Sequence, residues 1–179
     1  VIETGAEAAL AHSITGDVLV LATTATVASH AYRAACRALG LRALEMACPL
    51  LVPLVEEGWT AHPVTREVLR IYLTETAAAA RQAGFMPDAL VLGCTHYPLL
   101  RAEIEALAPA GMAVIDSAEV TASFVVRTMD AMDPPGSPAP EPPPVIRFYA
   151  TDGVDRFRDL GSRFLGESIE EVTLVDLGG

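Results

Sequence analysis

Cys94 and His96 stand one residue apart in the stretch Asp88-Ala-Leu-Val-Leu-Gly-Cys94-Thr95-His96-Tyr-Pro-Leu-Leu100. A thiol has a pKa of ~8.5 when free, close enough to neutrality for a protein site to use it as an acid and as a base. The imidazole two residues on is a second group whose ordinary pKa lies near neutrality. Two carboxylates, Glu56 and Glu57, close an apolar segment upstream, and Thr23, Thr24 and Thr26 cluster after another apolar run. Two ligands one residue apart, with no evident third and fourth, make a poor zinc set, so no metal is expected at Cys94 and His96. Cys36, Cys48, His12, His30 and His62 read as structural or surface residues.

The elements that must position these groups follow from the pattern. Ala89–Leu92 is a short apolar run of the buried parallel-strand type, and Asp17–Thr23 is a second. Each passes into a polar tip and then a helix. In open α/β sheets the chemistry sits at such carboxyl tips, beside the N–H groups of the next helix. Cys94 is therefore expected to be exposed there and stabilised as thiolate. The threonine cluster offers an N-cap and hydroxyls at a neighbouring tip.

In order, the chain predicts a helix over 5–13, the strand at 17–23, a helix over 25–39 stopped by Gly40, and a strand at 41–46. A short helix follows within 48–58, then a long one over 65–83 capped by Gly84. After the strand at 89–92, Pro98 opens a helix to Leu107. A strand at 112–116 and a helix over 117–132 complete the series. Alternating β and α elements signal a parallel sheet with right-handed crossovers, an α/β fold. From Asp133 the composition changes. The proline-rich stretch 133–144 reads as an extended linker or surface loop. A final strand–helix–strand unit, 145–150, 155–165 and 172–176, is too small to carry a core alone.

Composition excludes some functions. The 179 residues carry a net charge of −11, a poor match to nucleic acid. All twelve cationic side chains are Arg, so no lysine can form a Schiff base with pyridoxal phosphate. Three scattered cysteines fit a reducing, cytoplasmic compartment better than a disulfide framework. No apolar run is long enough to cross a bilayer.

The stretch Leu92-Gly-Cys94-Thr95-His96-Tyr-Pro-Leu-Leu resembles the second active-site motif of bacterial glutamate racemases, in the aspartate/glutamate racemase superfamily. Val1-Ile-Glu-Thr-Gly5 is similar to that family's Val-Ile-Glu-Pro-Gly segment. Ala47-Cys-Pro-Leu-Leu-Val-Pro-Leu-Val-Glu-Glu-Gly58 is similar to its Cys-Pro-Leu segment. Phe148-Tyr-Ala-Thr151, Arg156-Phe157 and Phe164-Leu165-Gly166 resemble its carboxy-terminal region. The family's Tyr-Gly pair and its Cys-Asn-Thr motif, the latter holding a first catalytic cysteine, do not occur here. The chain is therefore expected to correspond to the carboxy-terminal two-thirds of such an enzyme.

The resemblance implies a three-layer αβα domain over 6–116. It assigns 1–5 and 117–179 to a second, incomplete α/β domain. It implies cofactor-independent racemisation of glutamate, supplying D-glutamate for peptidoglycan, with Cys94 as the acid/base on the L face. It gives Thr95 and His96 contact with substrate or assistance to the thiol, and Glu56 a supporting role. Among Thr23, Thr24 and Thr26 a substrate contact is open, with Thr23 and Thr26 the candidates carried forward. Glutamate is the implied partner, and a homodimer is compatible. A racemase acting on aspartate or another amino acid, and a truncated non-catalytic binding module, are the competing readings.

Overall fold

The computed structural model describes residues 1–132 and 145–178; the proline-rich stretch 133–144 falls outside the described residues. Two compact units result, Val1–Met132 and Asp133–Gly179.

The first unit is built on four parallel strands: β1 (Asp17–Ala22), β2 (Arg42–Ala47), β3 (Ala89–Gly93) and β4 (Ala113–Asp116), in the order β2-β1-β3-β4. Every residue of β1 and β3 is buried, as their unbroken apolar runs require of strands covered on both faces. Side chains alternate between two cores. Val18, Val20, Ala22, Ala89 and Val91 face one layer, while Leu19, Leu21, Leu90 and Leu92 face the other. Each buried leucine contributes about 1.5–3 kcal/mol.

The first layer is made by α1 (Ile2–His12), α3 (Ala31–Ala38) and α7 (Ser117–Met132). Their small or aromatic residues Ala6, Ala9, Tyr32 and Cys36 fill that core. The second layer is α4 (Leu51–Glu56), α5 (Pro63–Gln82) and α6 (Arg101–Leu107), packed through Leu51, Val55, Leu69, Ala80 and Ile104. Helices on both faces make this an αβα sandwich.

One expected helix is two. The segment over 25–39 divides into α2 (Thr24–Ser29) and α3, because His30 adopts a left-handed conformation, φ 53° and ψ 22°. That conformation is rare for a residue with a Cβ. Here the His30 ring meets Glu45 at 3.3 Å, and the Arg33 N–H donates to Glu45 at 3.3 Å. The helix expected from Pro98 also differs: a 3-10 turn, Tyr97–Leu100, precedes α6.

The amino ends of the strands are tied by two aspartates. Asp17, 3% exposed, takes two bonds from Arg42, at 2.7 and 2.6 Å, and one from the Met86 N–H at 2.7 Å. Burial raises its pKa, but these donors outweigh it and leave the carboxyl below its usual range. Asp88 accepts from the Ser13 and Thr15 hydroxyls and from the N–H groups of Ile14 and Thr15. It thereby holds the loop between α1 and β1 against the start of β3.

The second unit is a parallel β–α–β element. β5 (Phe148–Ala150) pairs with β6 (Val172–Leu174), joined through α8 (Val154–Leu165). Phe148 and Phe157 pack with ring centroids 6.4 Å apart, and Ile169 is buried.

Candidate active site

The strand order brings the candidate residues together. From β1 the chain goes to β2 on one side, then passes back over β1 to β3 on the other. The carboxyl ends of β1 and β3 thus flank the switch point, where open α/β sheets leave a crevice for ligands. Register makes this specific: Ala22 is aligned with both Ala47 and Gly93. Thr23, Cys48 and Cys94 are the next residues along three adjacent strands.

Cys94 follows Gly93, whose missing side chain is a packing requirement. A Cβ there would lie 2.9 Å from the Tyr32 ring and 3.0 Å from the Leu21 carbonyl oxygen. The Cys94 side chain is half-buried, whereas Cys36 and Cys48 are fully buried. Its sulfur faces His96 Nδ1 at 3.9 Å, and His96 Nε2 lies 3.3 Å from Glu56 Oε1. Thr95, exposed, has its hydroxyl 3.5 Å from His96 Nδ1. Glu56 is the last residue of α4, and so reaches the thiol loop from the neighbouring strand connection.

The expected lowering of the thiol pKa is not what this unit provides. Burial pushes the Cys94 thiol up, and the N–H groups of His96 and Tyr97 with the Thr95 hydroxyl only partly offset that. The other two thiols are pushed further by burial, Cys36 to about 11 and Cys48 to about 12, consistent with their structural reading.

Thr23 caps α2: its hydroxyl accepts from the Thr26 N–H at 3.2 Å and lies 2.9 Å from the Thr26 hydroxyl. Both side chains are part-buried at the tip of β1. Sequence reasoning missed Tyr97. It is fully buried, and its hydroxyl donates to the Cys48 carbonyl oxygen at 3.0 Å. The only signal was a tyrosine between the polar motif and Pro98. No group of three or more His, Cys, Asp or Glu that could hold a metal is found among the described residues.

A proton path from a half-buried sulfur through imidazole to carboxylate, at the switch point of a parallel sheet, is an acid/base arrangement. The profile of the Asp/Glu/hydantoin racemases matches residues 1–125. The chain belongs to that racemase family. A glutamate racemase of Koribacter versatilis is 46% identical over 198 aligned positions, covering 100% of this chain and 67% of that protein. A glutamate racemase structure from Bacillus anthracis superposes with a TM-score of 0.82 at 31% identity, covering 98% of this chain and 63% of that one. One from Francisella tularensis, in complex with D-glutamate, gives 0.77 at 27% identity, covering 98% and 62%. The chain thus spans about two-thirds of the length of these racemases.

Proposed function

We propose that this protein interconverts L- and D-glutamate without pyridoxal phosphate, in the cytoplasm, supplying D-glutamate for peptidoglycan. The observation that carries the reading is the line Cys94–His96–Glu56 at the β1/β3 switch point. Racemisation needs a base on one face of Cα and an acid on the other. On the L face, Cys94 as thiolate takes the Cα proton and becomes a thiol. A second thiol on the opposite face returns a proton to the carbanion. In the family that group belongs to the Cys-Asn-Thr motif, which this sequence lacks. Catalysis therefore calls for the additional third that the relatives carry.

The raised pKa of Cys94 bears on direction. As a thiol it is set to deliver a proton to Cα, the D-to-L leg. For the L-to-D leg the proton must first leave, and His96 Nδ1 is the acceptor within reach. Glu56 Oε1, 3.3 Å from Nε2, orients the ring toward the sulfur. The carbanion needs donors aimed at the substrate carboxylate. The Thr95 hydroxyl and the hydroxyls of Thr23 and Thr26 are the candidates at the two strand tips. The domain division at 6–116, with 1–5 and 117–179 returning to the other domain, and pairing into a homodimer, belong to the same proposal.

The test is proton NMR of each glutamate enantiomer in deuterated buffer, using the protein joined to a segment equivalent to the relatives' additional third. Loss of the Cα proton signal with appearance of the other enantiomer is the expected result. Turnover of aspartate instead would change the substrate. Inertness of the folded protein toward every amino acid tried would leave a binding module.

A further inference from the structure

Tyr97 is buried where a phenol has little reason to be. It sits at 0% exposure in the apolar layer beneath the thiol loop, among Leu51, Val55 and Leu100. A buried hydroxyl is retained at a cost unless it is bonded, and this one is bonded once among the described residues, to the Cys48 carbonyl oxygen at 3.0 Å. Burial pushes its pKa far up, so it remains a hydroxyl donor at any working pH.

The two ends of that bond belong to the two halves of the site. Tyr97 is the residue after His96, and its N–H closes the thiol loop on the Cys94 carbonyl oxygen at 3.1 Å. Cys48 opens the segment that becomes α4. Its N–H donates to the Ala22 carbonyl oxygen at 2.8 Å, and its carbonyl oxygen also receives the Leu51 N–H at 3.2 Å. That helix ends at Glu56. The imidazole and the carboxylate thus come from separate segments, and the Tyr97–Cys48 bond joins the bases of both.

We propose that Tyr97 is a positioning residue: its hydroxyl bond to the Cys48 carbonyl sets the thiol loop against α4 and thereby holds His96 within reach of Glu56. This deepens the acid/base reading of the site but is tested without turnover.

The test is a double-mutant cycle on the chain of 179 residues, read as the rate of Cys94 alkylation by iodoacetamide at one mildly alkaline pH. Mass spectrometry assigns the modified cysteine, and the burial of Cys36 and Cys48 leaves Cys94 as the reactive thiol. Glu56→Gln on its own is expected to change the rate by about threefold or more, within the range for coupled neighbours. On a Tyr97→Phe background the same substitution is expected to change it less than about 1.5-fold, because the carboxylate is no longer held at the imidazole. Equal effects of Glu56→Gln on both backgrounds would overturn the proposal, and so would no effect on either. Should Tyr97→Phe fail to fold, NMR of the unsubstituted chain decides. A Tyr97 hydroxyl proton, assigned by its contacts to the ring, that persists in water supports the bond. Exchange as fast as that of a free phenol overturns it. Neither outcome depends on whether glutamate is the substrate.

Discussion

His96 Nε2 lies 3.3 Å from Glu56 Oε1, across two segments that share no local sequence. The imidazole is held between a carboxylate and, on its other nitrogen, the Cys94 sulfur at 3.9 Å. Replacing Glu56 with Gln removes the charge and keeps the shape. With the relatives' additional third joined to the chain, kcat of the proposed racemisation is expected to fall about a hundredfold with little change in KM, the size of a lost acid/base contribution. Initial rates in both directions measure it. A change confined to KM would make Glu56 a binding group only.

Cys94 alkylation should report its raised pKa. The half-maximal rate is expected at a higher pH than that of a free, exposed thiol. Replacing Thr95 with Val removes a donor to the sulfur and should move that point higher still, slowing the reaction near neutrality. An unchanged or lower midpoint in the variant would mean that the hydroxyl does not serve the thiolate.

Asp88 makes the fold acid-sensitive. Burial raises its pKa, but four donors around the carboxylate bring it down to about 2, from an ordinary 3.8. The folded value is the lower one, so its stabilisation is complete above 3.8 and is lost as pH falls toward 2. Asp88→Asn should therefore lower the melting temperature at neutral pH. The gap to the unsubstituted chain should close on acidification through that window. A gap constant with pH would assign the effect to shape alone.

Gly93→Ala should destabilise the first unit by about 1–3 kcal/mol, the usual cost of overpacking. The added methyl would press on the Tyr32 ring at 2.9 Å and on the Leu21 carbonyl oxygen at 3.0 Å. Chemical denaturation measures the loss. Trimming the ring in a Gly93→Ala, Tyr32→Leu double variant should recover part of it.

The local pattern of residues was enough to find the elements and the thiol. Asp17–Ala22 and Ala89–Gly93 declare themselves as buried parallel strands because every side chain in them is apolar or small apart from Asp17. Cys94 declares itself because it follows such a run through a glycine. Alternation of strand and helix is a property of neighbours along the chain, and neighbours can be read in order. Strand order is not such a property. That β3 lies beside β1, placing Cys94 next to Thr23, depends on which face each helix covers. The approach of Glu56 to His96 depends on the end of α4 landing against the thiol loop, with Tyr97 bonded to Cys48 beneath. The upward pKa of Cys94 depends on how much protein surrounds the sulfur, and the break at His30 on a side-chain partner in β2. Each of these is set by packing between segments distant in sequence, where periodicity carries no information.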